Sequence, residues 1–162
     1  RIDIYELYLC PCEVYYSIFY CFQSFLRHEE INSESEKLDM WLNEKFKVEK
    51  PIIALLHLDP LPGDPYYCGN MDEVLKNARA DLLSLQKGGV DGVLVANEFS
   101  LPYQPVDDIA VISAMAYIIG KLHDELALPF GVNVVKNPIA TIDLAAATGA
   151  EFVRSAFTGA YM

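Results

Sequence analysis

Hydrophobic positions along this chain fall into two alternating patterns. Four short runs are apolar at almost every position: 51–58 (PIIALLHL), 91–97 (DGVLVAN), 129–135 (PFGVNVV) and 151–157 (EFVRSAF). Runs of this length with little in–out alternation predict strands covered on both faces, as in parallel sheets. Between them, apolar residues recur every three or four positions. From Met71 to Lys87, one face collects Met71, Val74, Leu75, Ala78, Leu82 and Leu85, which predicts a helix. Asn70 stands at its N-cap position, and Gly88-Gly89 stands where it would stop. Val106 to Leu126, after Pro105, and Pro138 to Thr148, before Gly149, predict two more helices.

The order from residue 51 is therefore β-α-β-α-β-α-β. Such alternation predicts an α/β fold with a parallel sheet and right-handed crossovers. An open doubly wound sheet and a barrel both satisfy it. The open sheet usually carries a glycine-rich phosphate loop after its first strand. Here that loop holds Pro60, Pro62 and Pro65 with the single glycine Gly63, and no G-x-G-x-x-G occurs. Local chemistry thus favours a partial (β/α)8 barrel of about four βα units.

The front of the chain reads differently. Five of the ten tyrosines lie in the first twenty residues. Val14, Ile18, Cys21, Phe22 and Phe25 predict a helix from about Glu13 to Arg27, either an extension with no part in the core activity, which is the preferred reading, or a sticky face that docks on a partner, a membrane surface or the body of the domain. Ser33 and Glu36 form a capping-box pattern. Leu38, Trp41, Leu42 and Phe46 then predict a short amphipathic helix before the first strand.

Composition narrows the function classes. A hydrophobic content of 52% argues against disorder. A formal net charge of -11 argues against nucleic-acid binding through a basic patch. Cys10, Cys12, Cys21 and Cys68 lack zinc-ligand spacing and suit thiols of a reducing compartment. The most apolar segment, Val14 to Leu26, is shorter than the roughly 20 residues of a spanning helix. It also lacks the marks of a signal peptide. The expectation is a cytoplasmic protein without a transmembrane segment.

Polar residues sit late in each apolar run: His57, then Asn97 and Glu98, then Asn133 and Lys136, then Arg154. Parallel α/β folds bind ligands outside the carboxyl ends of their strands. A polar group among Ile and Leu is costly unless it has a partner or faces a wet mouth. His57 is the best candidate acid or base, with Glu98 as a second one. Asn97, Asn133 and Arg154 are candidate ligand-binding groups, although Asn97 could instead cap a turn and Arg154 could pair with Glu98 or Glu151. Asp59 and Asp64 bracket the proline-rich loop, and Asp59 joins the ligand-binding candidates. No tight spacing supports a metal site. Tyr66 and Tyr67 are either an aromatic lining or surface residues. No cofactor is indicated.

Several stretches together resemble the BtpA/SgcQ family: HLDPLPGDP, GGVDGVLVANEFSLPY, AMAYIIGKL, LPFGVNVV, DLAAATGAEFVR and FTGAYM. NEFSLPY is closer to the SgcQ branch than to the BtpA branch. The resemblance covers residues 40–162 and leaves 1–39 as a non-family extension, with Met40 where such a protein would begin. It implies a TIM barrel similar to the ribulose-phosphate-binding barrels. It also implies one of two settings: carbohydrate metabolism for SgcQ-like members, or photosystem I biogenesis for BtpA-like members. His57, Asn97, Glu98 and Arg154 fall on the matching motifs. A complete barrel takes eight units and about 250 residues. The expectation is thus the N-terminal half of a barrel, either part of a longer protein or a half that pairs with another copy. Three readings follow: an enzyme on a small sugar-derived or phosphorylated metabolite, a non-catalytic assembly factor, or an inactive fragment.

Overall fold

A computed structural model describes residues 34–103 and 109–155, with side chains from residue 40 onward. The predicted helix at Glu13–Arg27, the start at Pro105 and the end of the fourth apolar run lie outside the described residues. Helix α1 (Glu34–Phe46) leads into β1 (Ile53–His57), α2 (Met71–Lys87), β2 (Gly92–Ala96), α3 (Ile109–Leu122), β3 (Phe130–Asn133), α4 (Pro138–Thr148) and β4 (Phe152–Val153). The four strands form one parallel sheet in the order β1-β2-β3-β4.

Strand order separates the two architectures that alternation left open. A doubly wound sheet reverses its order at a switch point, where ligands bind. Here each strand is added beside the one before it, as in a (β/α) barrel. The chain is a partial barrel of that kind, an α/β fold with helices between successive strands.

The helices end where their sequences say they should. The Asn70 side chain accepts from the Asp72 and Glu73 N–H groups at the start of α2. Asn137 does the same for Ala140 in α4, and Gly149 ends that helix in the left-handed region at φ 75°. Only α3 departs from expectation. It stops at Leu122, and a 3-10 turn (His123–Glu125) follows. Arg79 on α2 grips both oxygens of Glu125, at 2.8 and 3.0 Å, and holds that turn against its neighbour.

Strand side chains alternate between two cores. Ala54, Leu56, Val93, Val95, Phe130, Val132 and Val153 point to the helices and pack with Val74, Leu82, Met115, Ile118 and Leu144. Each fully buried Leu or Ile there contributes about 1.5–3 kcal/mol. Ile53, Leu94 and Phe152 point the other way, toward the barrel interior, and α1 covers them with Trp41, Leu42 and Phe46. Phe46 stacks edge-on against Trp41 and against Phe152, both with ring centroids 5.8 Å apart. Lys45 bridges to Glu151 just before β4.

Two glycines make room for those rings. A Cβ on Gly131 would lie 2.4 Å from two ring carbons of Phe152, and one on Gly92 would lie 2.7 Å from Phe46 Cε1. The amino end of the interior is thus filled by aromatic residues from α1 and β4 over a floor of small residues on β2 and β3.

Candidate functional site

At the carboxyl end, the same interior face turns polar. Register places His57 beside Ala96, and Ala96 beside Asn133. Val132 pairs with Val153, so the next residues, Asn133 and Arg154, are neighbours too. Asn133 Nδ2 donates to the Arg154 carbonyl, and the Arg154 N–H donates to Val132 O at 3.3 Å. His57, Ala96, Asn133 and Arg154 therefore form one transverse row. At about 4.8 Å per strand, its ends are roughly 14 Å apart. Ala96, the small residue of the row, is fully buried beside His57.

Glu98 stands one step above the row on β2's extension. Its Oε2 lies 3.6 Å from Arg154 Nη2, and its Oε1 accepts from the Tyr103 hydroxyl at 3.0 Å. Arg154 thus takes the first of its two predicted partners, because Glu151 is held by Lys45 at the opposite end of the strand. Burial, and then the hydrogen bond and charge of Glu98, raise the Tyr103 phenol above its usual 10.0, with Arg154 opposing. The Lys136 ammonium lies 5.2 Å from the centre of the Tyr103 ring. Phe99 meets the His57 ring edge-on at 5.7 Å. Tyr103 escaped sequence reading because it lies past the apolar run, in NEFSLPY, where nothing periodic marks it.

The structure does not bring Asn97 and Asp59 into this row. Asn97 has the opposite strand parity and is fully buried. Its Oδ1 accepts the Val135 N–H at 2.8 Å, which ties the end of β2 to the turn after β3. Asp59 accepts from Asn77 on α2 at 2.8 Å. Asp64, the other loop carboxylate, accepts from the Leu61 N–H at 2.6 Å and the Ser100 hydroxyl at 2.7 Å. It closes the proline-rich loop on itself and pins it to the loop after β2. Tyr66 is exposed at the surface, whereas Tyr67 packs on the helix-side core. Among the described residues, no group of three or more His, Cys, Asp and Glu is placed to hold a metal ion. No described helix is long and apolar enough to cross a membrane.

The sequence profile of the BtpA family matches residues 48–162. The chain belongs to the BtpA family. Every residue of the row, along with Glu98, Tyr103 and Lys136, lies inside that match. Among BtpA-family relatives, the sgc region protein SgcQ of Escherichia coli is 50% identical over 123 residues, 75% of this chain and 46% of that protein. The photosystem I biogenesis protein BtpA of Synechocystis is 37% identical over 118 residues, 71% of this chain and 41% of that protein. An uncharacterised protein of Thermococcus kodakarensis is 38% identical over 106 residues, 65% of this chain and 41% of its own. The chain spans less than half the length of these curated relatives. No solved structure matches it.

Proposed function

We propose that the carboxyl end of this sheet binds a small sugar-derived or phosphorylated metabolite and performs proton transfer on it. His57 is the general base or acid, and Glu98, held by Tyr103, is its counterpart. Asn133 and Arg154 orient the ligand. Asn97 and Asp59 support the loops around it. The observation that carries this reading is the row: three polar side chains on three strands share one face and one level. Sequence separation would not collect them by chance, and neutral imidazole is suited to proton transfer near pH 7. The roughly 14 Å between the backbones at the row's ends leaves room for a small ligand between the His57 and Arg154 side chains.

The test is a melting-temperature screen of the protein against sugar phosphates, followed by turnover assays on whatever binds. Ligands of the native state raise the midpoint by mass action. His57→Ala should keep binding and lose turnover. Full turnover in that variant overturns the assignment.

A second reading has one observation behind it: 37% identity to a protein named for photosystem I biogenesis. On that reading the barrel is an assembly factor, which the fold permits. Retention of biological function by His57→Ala, with partner capture intact, selects it over the enzyme.

A further inference from the structure

Lys136 occupies a position where glycine is usual. The Asn137 N–H donates to Val134 O at 3.0 Å, closing a four-residue turn with Val135 and Lys136 at its centre. Lys136 has φ 64° there, the left-handed conformation that the third residue of a type II turn needs. A non-glycine residue is strained at that place, and such strain persists only where surrounding contacts fix it. Those contacts are present. Asn97 holds the Val135 N–H, Thr141 Oγ1 accepts the Val134 N–H at 2.9 Å, and Asn137 caps α4. The other left-handed lysine, Lys47, has an ordinary explanation: it follows the end of α1, and its N–H returns to Asn43 O. Lys136 ends no helix.

The strained turn carries an ammonium to the rim of the site just described. Lys136 lies over the Tyr103 ring and makes no ion pair among the described residues. Arg154, whose charge also acts on Tyr103, meets Glu98 through a single contact at 3.6 Å, longer than a hydrogen bond. A guanidinium has five N–H donors, so one such contact orients it without saturating it. Among the described residues, the rim therefore holds two cations against one carboxylate, in a protein whose net charge is -11. Locally positive potential of this kind concentrates small anions.

We infer that Lys136 and Arg154, both neighbours of Tyr103, together form a seat for an anionic group of the ligand, a phosphate or a carboxylate. This rests on the mouth being a small-molecule site, and it adds the ligand's charge and a residue that touches it.

The experiment uses inorganic phosphate as the probe, malonate as the carboxylate arm and glucose as the neutral arm, at matched ionic strength. Binding is read from the melting temperature of the full chain. Lys136→Gly removes the ammonium and leaves the turn relaxed. Lys136→Arg keeps the charge, and Arg154→Gln removes the second cation. Phosphate or malonate should raise the parent's melting temperature. Its apparent dissociation constant should rise about tenfold in Lys136→Gly and in Arg154→Gln, the loss of one charge-assisted contact, and return in Lys136→Arg. Lys136→Gly without ligand should melt no lower than the parent, which a merely structural lysine would not show. Equal anion affinity in the parent and Lys136→Gly overturns the inference, as does the absence of any shift with either anion. Binding of glucose alone overturns the seat but leaves the small-molecule reading standing. Turnover retained in His57→Ala removes that reading's chemistry and leaves the seat untouched.

Discussion

Replacing Gly131 with alanine tests the account of the barrel interior at a single atom. The added Cβ would lie 2.4 Å from Phe152 Cδ2 and Cε2 and 2.7 Å from the Phe152 carbonyl oxygen. Ordinary contacts are about 3.5–4.0 Å, so all three are roughly 1 Å too short. The ring can tilt, but the carbonyl belongs to the backbone of β4, which pairs with β3 at this residue. Overpacking of this kind costs about 1–3 kcal/mol, and backbone involvement places it at the upper end. Alanine in a strand recovers about 0.5–1 kcal/mol of glycine's entropy cost. The net expectation is a loss of about 2 kcal/mol. With a urea dependence of about 2 kcal/mol per molar, the unfolding midpoint falls by about 1 M. The assay is urea unfolding followed by far-UV circular dichroism and by fluorescence of Trp41, the chain's single tryptophan. Trp41 packs on Phe46, which packs on Phe152, so its signal reports the disturbed region. Gly120→Ala is the control. Its Cβ meets nothing within 4 Å on the exposed side of α3, so the same substitution should stabilise by up to about 1 kcal/mol. A Gly131→Ala midpoint within about 0.2 M of the parent would refute the crowding argument.

Three further outcomes follow from single contacts. Thr141→Val keeps the shape but leaves the Val134 N–H buried without its acceptor, and should cost about 1–3 kcal/mol in the same urea assay; an unchanged midpoint contradicts it. Asp64→Ala removes the carboxylate that binds Leu61 N–H and Ser100. It should cost about 1.5–3 kcal/mol and raise amide exchange in the loops after β1 and β2, while exchange in α4 stays constant. Tyr103 sets a pH dependence. Its folded pKa is raised, so its contribution is fully present below 10.0 and is lost as pH rises through the folded value. Melting temperatures should therefore fall more steeply above pH 10 in the parent than in Tyr103→Phe, and parallel curves would contradict the raised phenol, which burial and then Glu98 produce.

How much of this was legible in the sequence depends on range. The helices at Met71–Lys87 and Pro138–Thr148 were legible to the residue, because Asn70, Asn137 and Gly149 act on their own neighbours in the chain. The apolar runs marked the strands, but only the spatial order β1-β2-β3-β4 decides between barrel and open sheet, and no local pattern encodes it. Among the polar candidates, strand position alone could not sort Asn97 from Asn133. The difference is parity: Asn133 shares a face with His57, and Asn97 lies on the other one, where it binds Val135. Parity becomes readable once a register is known. Gly131 was silent for a related reason, since its function is to be absent opposite Phe152, twenty-one positions away.

The floor of the barrel also fixes a timetable. Lys45 and Glu151 are separated by 106 residues, yet they close the same contact surface that Phe46 and Phe152 share. During synthesis at about 5–20 residues per second, α1 leaves the ribosome roughly 5–20 s before its partner strand exists. The helix-side core can assemble unit by unit as each βα pair emerges. The interior face of β1 and β2 must wait, with Trp41 and Phe46 at hand but unanchored. Whatever guards that face in the interval has seconds, not milliseconds, to cover.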